Sequence, residues 1–285
     1  MRIEIWFLLA RKFKKIMTFG LIICFLPAFL YSAFEYKNFS ASSAGLAGMK
    51  TLVDDEAIAV LYNPVLIGSI KTTEFDFFYT KFYDVDELLV NVAAFSLPFL
   101  RGHIGFGYSS FGKSDFYQER IIAAGYKFDI SKHVSLGLNY KNLNLSLGEM
   151  NQQTNLYAMD FGGRINCGEK ANFGFLMSNV NRPTIGRDYK EEIYRDICVG
   201  YSYCPIENIK LLMEYVKQVG YESDYRYGVE MNFLKTFLLR IGNQNNVDLW
   251  TIGFGIKTSV CQLDYAYNYH FDLGSQHFFT IKFYL

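Results

Sequence analysis

Leu249-Trp250-Thr251-Ile252-Gly253-Phe254-Gly255-Ile256-Lys257, followed after three residues by Cys261-Gln262-Leu263-Asp264-Tyr265-Ala266-Tyr267-Asn268-Tyr269-His270-Phe271, decides the fold class. In the first run Trp250, Ile252, Phe254 and Ile256 alternate with Thr251, Gly253, Gly255 and Lys257; in the second, Leu263, Tyr265, Tyr267, Tyr269 and Phe271 alternate with Gln262, Asp264, Ala266, Asn268 and His270. Successive side chains of a strand point to opposite faces, so each run is a strand with one apolar and one polar or small face. The same period recurs in Ile104, Phe106, Tyr108, in Ile197, Val199, Tyr201, Tyr203, in Tyr225, Tyr227, Val229, Met231, Phe233, and in Phe279, Ile281, Phe283, Leu285. Working outward from these, the chain divides into fourteen strands at 72–82, 88–98, 102–111, 118–128, 133–147, 155–166, 172–181, 192–203, 209–217, 225–234, 237–243, 249–257, 261–271 and 276–285. That allows about 15 residues for each strand and its connection, which suits a membrane-crossing strand of ~9–11 residues and a short loop. An even count is what a single-chain bacterial barrel requires.

Connection lengths separate a membrane barrel from a soluble β-sandwich, which shares the alternation. Outer-membrane barrels have short periplasmic turns and longer external loops. With the first strand running outward, the connections after even strands are tight: 99–101, 129–132, 167–171, 204–208, Lys235 with Thr236, and 258–260. The alternate ones include the longer 113–117, 148–154, 182–191 and 218–224. A sandwich has no reason to sort its loops this way, and remains only as a periplasmic or secreted alternative.

Composition agrees. The 285 residues carry 27 Phe, 22 Tyr and 2 Trp but only 5 Pro, where average usage of roughly 5% gives about 14. Hydrophobic residues reach 51% with a mean hydropathy of +0.06, so apolar groups are interleaved with polar ones, unlike a helical membrane bundle or a disordered chain. Lys plus Arg equals Asp plus Glu at 28 each, which offers no basic excess for nucleic acid.

Residues 1–33 read as a secretory leader: Arg11, Lys12, Lys14 and Lys15, then an apolar stretch from Ile16 to Leu30, then Tyr31-Ser32-Ala33, with cleavage near Ser32 or Ala33. Fifteen residues broken by Pro27 are short for the ~20 of a spanning helix, so an uncleaved anchor is the lesser reading. Loss of 1–33 removes five bases and one acid, leaving 23 against 27. Between the leader and the first strand, Ser40–Gly48 is small and flexible in character. Asp54-Asp55-Glu56-Ala57-Ile58-Ala59-Val60-Leu61-Tyr62-Asn63-Pro64 then predicts a short helix over 55–62. Asp54 or Asp55 would cap it, Asn63 would be driven from helical geometry by Pro64, and Pro64 would open a second turn.

Gly45-Leu46-Ala47-Gly48-Met49-Lys50, the Asp54-Asp55 pair and Tyr62-Asn63-Pro64-Val65-Leu66 resemble the amino-terminal signature of FadL-like outer-membrane proteins of the PorV/PorQ type. At the other end, Leu263-Asp264-Tyr265-Ala266-Tyr267, then Asp272-Leu273-Gly274, His277 and an alternating last strand, are similar to that family's closing hairpin. Two positions depart from the pattern: Val65 follows Asn63-Pro64 where the family has Ala, and Leu285 stands where it ends on an aromatic. The resemblance implies a 14-stranded antiparallel barrel in the outer membrane, contacting outer-membrane lipid, with residues 34–71 as a small helical hatch inside and 72–285 as the wall. Asp54, Asp55, Asn63 and Pro64 then form the hatch motif. The implied roles are passage of small hydrophobic compounds or, as the alternative, partnership with a protein-secretion machinery.

Strand parity points Glu74, Asp76, Asp160, Asp196, Glu214, Glu230 and Asp264 into the lumen, against Lys127, Lys141, Arg164, Lys210, Arg226, Arg240, Lys257 and Lys282. Seven acids and eight bases do not make an ion-selective pore, which shows one sign; they suit a self-neutralising ladder that holds the hatch. Within it Lys257, Asp264, Lys282 and Glu74 alternate in sign near the periplasmic end, so Lys282 should meet Glu74 where the last strand joins the first. No catalytic, metal or cofactor pattern emerges. His103, His133, His270 and His277 are isolated, and His270 lies six residues, roughly 20 Å, from Asp264 along one strand.

Overall fold

The computed structural model describes residues 33–35, 38–68, 72–148, 152–186, 190–247, 249–270 and 274–285. Apart from Ala33, the expected leader lies outside the described residues, as do Asp272 and Leu273.

Fourteen strands form the wall: β1 (Glu74–Phe82), β2 (Leu89–Phe99), β3 (Gly102–Lys113), β4 (Tyr117–Ser131), β5 (Val134–Leu147), β6 (Gln152–Cys167), β7 (Ala171–Met177), β8 (Asp196–Ile206), β9 (Ile209–Gln218), β10 (Ser223–Phe233), β11 (Phe237–Gln244), β12 (Leu249–Lys257), β13 (Cys261–His270) and β14 (Gly274–Tyr284). Each pairs antiparallel with its neighbours in sequence, and β14 pairs with β1 to close the barrel. Closure leaves no open sheet edge in the wall. Period two is visible in the burial: Glu74, Asp76, Phe78 and Thr80 face inward and are buried, while Phe75, Phe77 and Tyr79 are exposed on the outside. Outward aromatics stack across strands, with Phe75, Phe95 and Phe106 in a row at centroid distances of 5.8 and 5.3 Å and Tyr140 against Tyr157 at 5.6 Å. Such cross-strand pairs help set register. At the 234–236 turn Leu234 and Lys235 both take positive φ, 54° and 60°, the conformation a tight hairpin needs to follow the strand twist.

The seventh and eighth strands are shorter than their alternation predicts. The seventh ends at Met177 rather than 181, because Asn179 turns inward at φ 50° and its amide N–H donates to Asp160 (2.8 Å). The eighth begins at Asp196 rather than 192, because Ile193 and Tyr194 fold over the lumen and are buried. The connection between them carries a two-residue ladder, Thr184–Ile185 against Glu191–Glu192.

Eight-stranded barrels can fill their interiors with wall side chains; fourteen strands enclose more space than that. The N-terminal segment occupies it. Ala41–Gly45 is a one-turn helix, α1, and Ala57–Leu61 and Pro64–Leu66 are 3-10 turns, every residue of all three buried. The expectation of a flexible Ser40–Gly48 is therefore wrong. Its small residues let backbone lie on backbone: a Cβ on Gly45 would stand 2.9 Å from the Gly253 Cα of β12. The wall satisfies the polar groups, with Ala41 N donating to Thr280 Oγ1 and Ala47 N to Thr251 Oγ1 (2.9 and 3.0 Å). The helix expected at 55–62 is the shorter 3-10 turn, and neither Asp54 nor Asp55 caps it. The Ile58 amide donates instead to Asp76 of β1 (3.0 Å). Asn63 and Pro64 behave as expected: Asn63 is extended (φ −153°, ψ 101°) and Pro64 starts the second turn.

Gly137 of β5 tests the seating. A Cβ there would lie 2.3 Å from Pro64 C and Val65 N, whereas one on the next-strand Gly163 meets only the Leu136 side chain at 3.6 Å. Gly137→Ala is expected to displace the inner segment and raise its susceptibility to added protease in detergent, with Gly163→Ala unchanged. Equal susceptibility of both variants would mean that the segment does not rest on this part of the wall.

Candidate functional site

Three consecutive acids of the inner segment meet bases from different strands. Asp54 pairs with Arg240 Nη2 (2.7 Å), and the same guanidinium reaches Glu230 through Nε (2.7 Å) and Asp264 through Nη1 (2.6 Å). Arg240 is 0% exposed, so one planar cation serves three carboxylates from β10, β13 and the inner segment. Asp55 takes both Arg164 nitrogens (2.8 and 3.0 Å) and Lys127 (3.3 Å). Glu56 accepts from Lys282 (2.7 Å), Tyr62 (2.6 Å), Ser40 (2.9 Å) and Ser42 (3.3 Å).

A second cluster lies closer to the end of the barrel formed by the connections after odd-numbered strands. Lys50 pairs with Asp196 (2.6 Å), while the Lys50 and Thr51 amides and the Thr51 hydroxyl donate to Glu214 (2.9, 2.6 and 2.6 Å). Asn63 Nδ2 donates to Lys50 O (2.7 Å), tying the two halves of the segment together. Asn139 donates to Val60 O (2.7 Å), and Lys141 neutralises Asp160 (2.7 Å). Residues of the β7–β8 connection close over this end, with Asn179 donating to Tyr194 O (2.8 Å) and the Tyr194 hydroxyl to Glu35 O.

Several expected ladder members therefore meet the inner segment, with two corrections. Lys282 and Glu74 do face the lumen on adjacent strands, but register places Lys282 opposite Asp76 and Glu74 opposite Tyr284. The Lys282 ammonium turns instead to Glu56 and, at 3.7 Å, Asp264. Lys257 is exposed at the end of β12, its ammonium 5.5 Å above the Tyr284 ring, and makes none of the ion pairs above. Sequence reasoning missed Glu56 and Lys50 as ligands of the wall. The run Asp54-Asp55-Glu56 was the available signal, since three acids can answer lumen bases as readily as they start a helix.

Burial alone would raise the Asp54 carboxyl, but Arg240 and then Lys282 outweigh it and hold it well below the carboxylate range; Arg164 and Lys127 likewise lower Asp55 against burial. Burial, then the neighbouring Glu56 carboxylate, pushes the Tyr62 hydroxyl well up. A depressed folded-state value means that Asp54 and Asp55 stabilise the seat fully above the unfolded carboxylate range, near 4, and lose that contribution as pH falls through the lowered values. Conductance in planar bilayers is expected to stay at its neutral-pH level down to about pH 4 and to rise only below it. Opening between pH 5 and 7 would show that another group controls the seat.

Two small lumenal cavities lie beside the segment: one of 30 Å³ near Phe39, Leu61 and Lys141, and a polar one of 200 Å³ near Asn38, Lys50, Arg226 and Asn268. Apolar groups also fill part of the lumen, among them Phe78, Phe278, Leu143 and Leu145. Among the described residues no cluster of His, Cys, Asp or Glu is placed to hold a metal ion. Asp264 is engaged by Arg240, and His277 bonds the Tyr265 hydroxyl (2.8 Å) on the outer wall. This arrangement fastens a segment inside a barrel.

Among solved structures the chain is similar to a FadL homologue of Pseudomonas aeruginosa, at a TM-score of 0.58 and 9% identity over 87% of this chain and 98% of that one. It is also similar to the toluene transporter TodX of Pseudomonas putida, at 0.57 and 10% over 88% and 98%. No family profile and no curated protein matches the sequence. The class defined is thus a closed 14-stranded antiparallel barrel with a FadL-like fold.

Proposed function

We propose that this chain is an integral outer-membrane barrel, made with a cleaved leader, through which small hydrophobic compounds pass when residues 34–71 act as a hatch and shift. The observation that carries the reading is a buried apolar lining within the lumen, around Phe78, Phe278, Leu143 and Leu145 and beside the charged Lys50–Glu214 cluster, where a water-filled porin is polar throughout. Toward the periplasm the segment is fastened by ion pairs and hydrogen bonds, which can be exchanged without breaking a wall strand. The FadL-like fold adds support, since one structural neighbour is a toluene transporter.

The alternative, a PorV/PorQ-like partner in secretion or surface assembly that transports nothing, is favoured by the density of buried ion pairs around Arg240 and Lys282. The two separate in one experiment. Proteoliposomes containing the purified chain are expected to take up a radiolabelled monoaromatic or medium-chain fatty acid several-fold faster than empty liposomes, with no gain for a sugar of equal size. Uptake equal to that of empty liposomes for every solute would reject transport and leave the docking role.

A further inference from the structure

Glu119 of β4 is a carboxylate turned into the lumen, 6% exposed. Its two partners among the described residues are neutral: the Phe34 amide N–H, 2.8 Å away, and the Tyr117 hydroxyl. A buried carboxylate is costly unless a cation answers it. The nitrogen at hydrogen-bond distance is also the one that cleavage after Tyr31-Ser32-Ala33 would free.

We propose that the leader is removed between Ala33 and Phe34 and that the new α-ammonium of Phe34 is the cation seated on Glu119, pinning the start of the hatch at the external end of the lumen. The proposal rests on the leader reading above and adds the bond cleaved and the group that receives the product. The step is hydrolysis by a membrane-bound signal peptidase. One water is consumed: its oxygen goes to the Ala33 carbonyl carbon and both protons end on the Phe34 nitrogen, leaving a carboxylate on the leader and an ammonium on the chain. A contact charged only on the acceptor side thereby becomes an ion pair, charged on both sides.

The backbone at Phe34 is consistent with a free terminus. Phe34 has φ 64°, the left-handed region, where its Cβ crowds neighbouring carbonyl groups. Once Ala33 is gone no preceding carbonyl constrains that torsion.

The test uses the full chain, expressed with its leader and purified from outer membranes of a Gram-negative host. Intact mass is expected to place the terminus at Phe34. A pyridine carboxaldehyde selective for N-terminal α-amines should modify the folded protein at least about tenfold more slowly than the urea-unfolded chain, a ratio equivalent to one decade in an opening equilibrium. Glu119→Gln, which keeps an acceptor oxygen and removes the charge, should abolish most of that protection. If Glu119→Gln gives no folded barrel, one glycine inserted between Ala33 and Phe34 moves the nitrogen off the carboxylate and should have the same effect. A Phe34 terminus labelled equally fast in wild type and variant would overturn the ion pair and leave the leader reading standing. A terminus at another residue would overturn the cleavage assignment, and a retained leader would overturn both.

Discussion

Arg240→Met is expected to lower the stability of the folded barrel by about 3–5 kcal/mol, the cost of removing one partner from a buried charge network. Arg240 is 0% exposed and is the nearest cation to Asp54, Glu230 and Asp264 together, at 2.6–2.7 Å. Without it the remaining close cation is Lys282, 3.7 Å from Asp264 and already committed to Glu56. Three carboxylates would then have to be hydrated or protonated in a space packed with the inner segment. Methionine approximates the stem of arginine, so the loss reports charge more than volume. Urea titration in detergent, followed by heat-modifiable migration, measures it. The distinguishing control is Arg240→Met combined with Asp54→Asn, Glu230→Gln and Asp264→Asn: if uncompensated charge is the cause, the fourfold variant unfolds later than the single one. A single variant that unfolds with wild type would show that water or another cation reaches this site.

Deletion of residues 40–66 is the change with the largest expected effect on permeability. The deletion removes α1 and both 3-10 turns, together with Lys50, Asp54, Asp55 and Glu56, while leaving the fourteen strands and their pairing untouched. The shortened chain is expected to insert, keep heat-modifiable migration and pass ions at least tenfold better than the intact barrel, since a ring of this strand number is too wide for its own side chains to close. Single-channel recording measures the change. Conductance equal to wild type would place the seal at Ile193 and Tyr194, which are buried over the lumen.

The sequence by itself determined the barrel. A period of two in strands such as Leu249–Lys257 and Cys261–His270 assigns each residue to the lumen or to the outer face of the wall from covalent geometry alone. Charge partners were beyond its reach, because a lumen cation chooses among acids brought near by closure of the ring. Lys282 could be placed on the inner face next to β1 from parity, but a register two residues away from expectation and the arrival of Glu56 decided its partner. Asp54 and Asp55 look like helix caps when only neighbours in sequence are considered. They became ion-pair ligands because Arg240, Arg164 and Lys127 project from the wall at their level, while Asp76 takes the amide they would have capped. Ser40–Gly48 has too few large side chains to announce structure locally. It becomes ordered because small residues can approach the equally bare backbone at Gly253, a contact that exists only once the wall has curved around it.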